Sequence, residues 1–226
     1  MDFFTVEFFT ALISIILIDL VLAGDNAVVI ALASRNLPKH LQKRAIIWGT
    51  AGAIFIRIIA TIFVVWLLKV PGLLLIGGVV LVWIAYKLLT EEEEVNVAAG
   101  GSLWAAIKTI IIADAMMGLD NVLAVAGAAH GSILLVVIGL LISIPIIVFG
   151  SQLVLKLMER FPIIIYIGGG VLAWTASKMI VKEPFVADFF ANEWLKYGFE
   201  IVVVAAVIGL GVMKKRATHT EATGQA

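Results

Sequence analysis

The chain has 226 residues, of which 62% are hydrophobic and only 14% charged, and its mean hydropathy is +1.13; this excludes a water-soluble domain with a polar shell. Sixteen acidic residues balance sixteen basic ones, so no basic face for nucleic acid is expected. With no cysteine in the chain, thiolate metal sites and disulfides are both excluded.

Crossing roughly 30 Å of hydrocarbon with a helix that rises roughly 1.5 Å per residue takes roughly 20 apolar residues. Seven segments meet that length, at about 9–34, 45–68, 71–89, 103–129, 132–156, 162–181 and 195–213. The first begins after MDFFTVEFF, which carries acid and no base and is followed by no small-residue cleavage signature. It is therefore expected to stay as a span and not to be removed as a secretory signal. The expected fold class is all-α: a polytopic transmembrane helix bundle of about seven helices in one transmembrane domain over residues 1–213. Residues 214–226 read as a disordered cytoplasmic tail.

Lys and Arg are retained on the cytoplasmic side of a membrane, so their distribution near span ends predicts orientation. With the N-terminus outside, eleven fall on the cytoplasmic side and four outside, with Arg57 left within a span. The C-terminus is then cytoplasmic.

Sliding the chain over itself uncovers an internal repeat. Asp19, Asp25 and Asn26 align with Asp114, Asp120 and Asn121 at an offset of 95, both sets reading D-x5-D-N. Pro71, Gly77, Gly78, Trp83 and Lys87 align with Pro162, Gly168, Gly169, Trp174 and Lys178 at an offset of 91. Repeat 1 covers about 9–90 and repeat 2 about 103–182, with the helix at about 195–213 standing outside both. Each half has three spans, an odd number, so the halves enter the membrane from opposite sides. That is the inverted-repeat plan of many secondary transporters, whose substrate sites lie near midplane at the repeat interface.

Four carboxylates and two amides inside membrane spans are expensive, at least about 2.5 to 3.5 kcal/mol for each central charge. Asp19, Asp25, Asn26, Asp114, Asp120 and Asn121 are accordingly the candidate metal ligands. On an ideal helix Asp19 and Asn26 share a face while Asp25 points away, so all three reach one ion only where the helix is unwound. Gly24 and Gly118 are the expected break points. Oxygen-only ligands suit Mg2+, Ca2+ or Mn2+; His40, His130 and His219 all fall in loops or the tail, which argues against an imidazole-built zinc or copper site. The competing structural reading is that these polar groups only hydrogen-bond between helices.

Arg57 sits near the middle of the second span, and its counterpart at the offset of 91 is Val148. Either it pairs with the Asp cluster when no ion is bound, or it is a fixed ion pair or a snorkelling side chain. Pro145 is expected to kink the fifth span, and Glu91 to Glu94 to be a solvated cytoplasmic loop. The glycine pairs are expected to permit close helix packing. Ser14 and Thr109, each five residues before a motif aspartate, are expected to bond back to their own helices.

LVLAGDNAVVIALA and IIADAMMGLDNVLAVAG resemble the two signature segments of the TerC family, and the similarity runs over roughly residues 5–213. The length, the basic RNLPKHLQKRA loop and the glutamate run are similar to its YjbE-type branch in bacteria. The resemblance implies a bacterial plasma-membrane protein of a family named for tellurium resistance, some of whose members export manganese. Its motif reaches the six polar residues named above and stops short of Arg57.

The expected function is a secondary transporter, not an enzyme, that exports a divalent cation, Mn2+ foremost, with the lipid bilayer and the ion as its only implied partners and no resident cofactor. No Walker-type loop or aspartyl-phosphate signature accompanies the motif, so a proton gradient or membrane potential would supply the drive. The alternatives are a metal-binding membrane scaffold that assists metalation or membrane-protein biogenesis, and an intramembrane aspartyl protease. Tellurite is an anion that a carboxylate cluster repels.

Overall fold

The structure, a computed structural model, describes residues 5–22, 24–63, 67, 70–90, 99–129 and 132–224, without the side chains of 20–22, 99–102, 119, 120, 123 and 215–224. Among the described residues every regular element is a helix: α1 (Val6–Leu22), α2 (Gly24–Ser34), α3 (Lys39–Ile62), α4 (Leu73–Thr90), α5 (Ala99–Ala128), α6 (Ile133–Arg160), α7 (Ile163–Lys182), the single turn α8 (Pro184–Ala187) and α9 (Glu193–Gly224).

Five of these are long and apolar enough to cross a membrane, and α1 with α2 makes a sixth if the two count as one broken span. The expected seventh, residues 103–129, falls in α5, a 30-residue helix that carries Asp114. Large apolar side chains face outward: Phe55, Phe149, Ile201 and Val202 are each between 63% and 71% exposed. A surface of this kind belongs against lipid.

The break expected in the first half is present, with Val6–Asp19 and Gly24–Ser34 bent by 47°. Asp25 lies in the first turn of α2 and its Oδ1 accepts the backbone N–H of Asn26 at 3.0 Å. This local bond lets an acidic side chain replace the lost intrahelical partner, at the end of the helix where the dipole favours negative charge. The break expected at Gly118 is absent, and α5 runs through it. One glycine costs a helix about 1 kcal/mol, less than leaving backbone groups unpaired in hydrocarbon. Pro145 likewise lies inside α6 without ending it. The C-terminal span continues as helix to Gly224, where a disordered tail was expected from 214. The continuation KKRATHTEAT is free of proline and includes the good helix formers Lys, Arg, Ala and Glu.

Two compact units divide the chain, Met1–Pro71 with Val97–Leu157 and Gly72–Asn96 with Met158–Ala226. Each therefore takes helices from both halves of the repeat.

In the first unit α3 packs on α5 through small residues. A Cβ on Gly49 would lie 2.7 Å from Cδ1 of Ile110, and one on Gly52 2.6 Å from Cδ1 of Ile111. At the start of the same pair Leu37, Leu41, Ala45 and Ala106 form a buried cluster. On the other side a Cβ on Gly139 of α6 would meet Cγ2 of Ile15 of α1 at 2.5 Å. Ile15 and Ile110 are repeat equivalents at the offset of 95, and each is buried against a glycine of the other half.

In the second unit the reciprocity is closer. A Cβ on Gly78 of α4 would lie 2.6 Å from Ile180 of α7, and one on Gly169 of α7 2.6 Å from Leu89 of α4. Gly78 with Gly169, and Leu89 with Ile180, are both separated by 91. The start of each helix meets the end of the other, so the pair is antiparallel and its contacts read the same from either end. Lys87 over Trp83 and Lys178 over Trp174, at 5.4 and 4.1 Å from the ring centroids, repeat one i, i+4 cation–π contact in both helices. Helix α9 joins this pair through Glu200, whose Oε2 accepts the Trp174 Nε1–H at 2.8 Å, and through Lys214, 5.8 Å from the Tyr86 ring.

Candidate functional site

Three helices of the first unit converge on one ionic cluster. Arg57 of α3, Asp19 of α1 and Asp114 of α5 are 3%, 0% and 7% exposed. The Arg57 guanidinium donates from Nη1 to Oδ1 of Asp19 and from Nη2 to Oδ1 of Asp114. A planar guanidinium presents its donors as a fixed fork, which lets a single side chain hold two carboxylates. These carboxylates are repeat equivalents at the offset of 95, so the two halves each deliver one aspartate to one arginine.

Counted with both carboxylates ionised, the cluster's two aspartates and one guanidinium sum to a formal charge of −1. Its hydrogen bonding is also incomplete. Oδ2 of Asp19, Oδ2 of Asp114 and Nε of Arg57 are buried with no hydrogen-bond partner among the described residues. Buried charge is tolerated when paired and fully hydrogen-bonded, and here two acceptors and one donor are left over. Gly118 lies beside Nε, where a Cβ would sit 3.5 Å away. Thr61, one turn beyond Arg57, donates its hydroxyl to the Arg57 carbonyl at 2.8 Å.

Of the six candidate ligands, Asp19 and Asp114 are brought together. Asp25 is half-buried in the first turn of α2. Asn26 is 2% exposed and, among the described residues, neither its Oδ1 nor its Nδ2 has a hydrogen-bond partner. Asn121 is buried on α5, and the side chain of Asp120 lies outside the described residues. Among the described residues no three His, Asp or Glu side chains are disposed to hold a metal ion together. Arg57 stands between the Asp19 and Asp114 carboxylates. Ser14 and Thr109 donate back to the carbonyls of Thr10 and Ala105, as their helical setting predicts. His130 and Glu91 to Glu94 lie outside the described residues, and His40, expected in a loop, is exposed in the first turn of α3.

A pocket of about 290 Å3 lies at the ends of α3 and α5 and the start of α6, lined by Thr61, Ile62, Ala126, Ala129, Ser132, Ile133 and Val136. Thr61 connects its wall to the turn that carries Arg57.

Two acidic residues escaped the sequence reading. Glu183, 2% exposed, accepts the backbone N–H groups of Gly72, Leu74 and Leu75 at 2.9, 3.0 and 3.3 Å. It thereby caps the N-terminus of α4, where free N–H groups and the helix dipole favour a carboxylate. Gly72 has φ +80°, a left-handed conformation that suits glycine. Glu200, 3% exposed, is the partner of Trp174. The one local signal was Glu183 directly before Pro184 at a helix start.

The sequence matches the family described as "Integral membrane protein TerC family" over residues 4–219. It is 47% identical over 187 residues to "Uncharacterized membrane protein YjbE" of Bacillus subtilis (strain 168), covering 82% of this chain and 86% of that protein. A second Bacillus subtilis protein, "Uncharacterized membrane protein YkoY", is 24% identical over 236 residues, 90% of this chain and 72% of the relative. "UPF0053 inner membrane protein YgdQ" of Escherichia coli (strain K12) is 25% identical over 171 residues, 67% of this chain and 72% of the relative. No solved structure matches significantly.

Proposed function

This chain belongs to the integral membrane protein TerC family, and we propose that it is a secondary transporter that exports a divalent cation, Mn2+ foremost, from the bacterial cytoplasm. The observation that carries this reading is the convergence of Asp19 and Asp114, one from each half of the repeat, on a single buried point of net charge −1. Buried unpaired carboxylate oxygens are costly in a purely structural role, and they are the ligands that hard divalent cations take. Asn26, with both amide atoms unpartnered, supplies a further oxygen in the same unit. In this reading Asp25, Asp120 and Asn121 complete the ion's path, as the repeated motif implies.

In the orientation that the Lys and Arg distribution favours, N-terminus outside and C-terminus cytoplasmic, the pocket lined by Thr61 and Ser132 would open to the exterior and serve as the exit one helical turn beyond Arg57. No nucleotide-binding loop accompanies the motif, so the drive is a proton gradient or the membrane potential. A guanidinium bound to both aspartates opposes the protease reading, which needs the two carboxyls to share a proton and a water.

The test is Mn2+ flux into proteoliposomes for wild type, Asp19→Asn and Asp114→Asn, with Mg2+, Ca2+ and Zn2+ as competitors. The expected result is flux in the wild type and a loss of about 100-fold or more in each variant, the size of effect that follows when one charged ligand is removed from a buried site. No wild-type flux under any imposed gradient would replace the carrier with the metal-binding scaffold.

A further inference from the structure

We propose, building on that reading of the aspartate pair, that Arg57 is a tethered counter-cation that occupies the site when no metal is bound and must leave it for the metal to enter. Shared space and formal charge argue it. With both carboxylates ionised, the two aspartates with Arg57 carry −1; with a divalent cation in its place they carry 0; with both present they carry +1, and Asp25, half-buried in the same unit, adds −1 to each state. In a medium of low dielectric the guanidinium and a divalent ion within a few ångströms repel strongly, so occupancy of the Asp19–Asp114 gap is exclusive.

Three features of the structure fit a mobile occupant better than a fixed strut. Arg57 spends Nη1 and Nη2 on the carboxylates and leaves Nε unpartnered although it is buried. Each carboxylate holds one oxygen toward Arg57 and keeps the other unpartnered. Gly118 leaves the flank of Nε without a side chain. A strut selected for stability would satisfy these atoms. The repeat adds a fourth argument, because Val148 stands at the position equivalent to Arg57. One arginine therefore serves two aspartates, and the metal-free site keeps a charge of −1 that attracts a cation.

An empty carrier must reorient to complete net transport, whereas exchange of one Mn2+ for another needs no empty reorientation. The tethered cation therefore has separable signatures. Arg57→Met should bind Mn2+ about 10-fold more tightly than wild type in titration calorimetry, since a competing unit charge is removed. In proteoliposomes the same variant should lose about 10-fold or more of net Mn2+ flux while 54Mn2+–Mn2+ exchange stays within about 2-fold of wild type. Arg57→Lys, which keeps the charge but cannot fork across both carboxylates, should bind Mn2+ more tightly than wild type by a smaller factor. It serves as the reading if the Met variant does not fold.

Mn2+ affinity that is unchanged or weaker in a folded Arg57 variant overturns the proposal, as does equal loss of exchange and net flux. Should Asp19→Asn abolish binding while Arg57→Met leaves it unaltered, the aspartate site stands and the tethered cation falls. If the wild type binds no Mn2+ and Arg57→Met does, the tethered cation stands and autonomous transport falls.

Discussion

The two compact units solve the problem of packing helices in lipid in opposite ways. The second brings α4 and α7 together through glycines, with Gly78 under Ile180 and Gly169 under Leu89, and its buried Glu183 accepts three backbone N–H groups. The first also uses glycines, at Gly49, Gly52 and Gly139, but places at its centre an ionic cluster with three unpartnered polar atoms. Close packing and satisfied capping are what a scaffold needs. Residual charge and open acceptors destabilise a scaffold; the second unit leaves one such acceptor, Oε1 of Glu200, where the cluster of the first leaves two together with an unpartnered donor, a cost that the proposed ion binding would offset. Substitutions should therefore separate the units: those in the second change stability with activity per folded molecule preserved, and those in the first change stability and the response to Mn2+ together.

The largest stability effect should come from Arg57→Met, which leaves two carboxylates facing each other without compensation. A loss of about 3 to 5 kcal/mol is expected, measured by thermal unfolding in lipid nanodiscs, and it should be partly recovered by adding Mn2+, because a ligand that binds only the folded state stabilises it. No recovery with Mn2+ would erase the distinction between the units. Next is Gly78→Ala, whose Cβ would meet Cγ1 of Ile180 at 2.6 Å and the backbone oxygen of Ala176 at 2.7 Å. The backbone contact cannot rotate away, so about 2 kcal/mol should be lost through overpacking, with unchanged Mn2+ flux per folded protein. Last is Glu183→Gln, which keeps one acceptor oxygen at the N-terminus of α4 but loses the charge and turns an NH2 donor toward N–H groups that the other carboxylate oxygen accepted. About 1 to 2 kcal/mol is expected, again without effect on Mn2+ selectivity; altered selectivity would place Glu183 in the transport path and dissolve the division of labour.

Much of this arrangement could be read from residue spacing. The offsets of 95 and 91 identified Asp19 with Asp114 and Gly78 with Gly169, and the structure places both pairs in reciprocal surroundings. Spacing reports what repeats, however, and not what meets across the chain. Arg57 lies 38 residues from Asp19 and 57 from Asp114, and Glu183 is 111 residues from Gly72. Nothing local to Arg57 distinguishes a snorkelling side chain from a bridge between helices. The failed break at Gly118 has a different origin. Gly24 and Gly118 stand at different places in the motif, one directly before Asp25 and the other two before Asp120, and glycine alone permits a break without requiring it. At the break in the first half Asp25 accepts the Asn26 N–H.

The reciprocal contacts of α4 and α7 have one more consequence. A surface on which residue i meets j, while the equivalent of j meets the equivalent of i, is the interface of a two-fold homodimer. Two copies of a three-span protein inserted in opposite directions would make that contact, and identical copies would be obliged to carry two arginines at the position of Arg57 or none. Joining the copies in one polypeptide releases that obligation. The lone Arg57 opposite Val148 is a composition that a symmetric pair of identical subunits cannot have, so the shared charge of the site requires that the two halves differ.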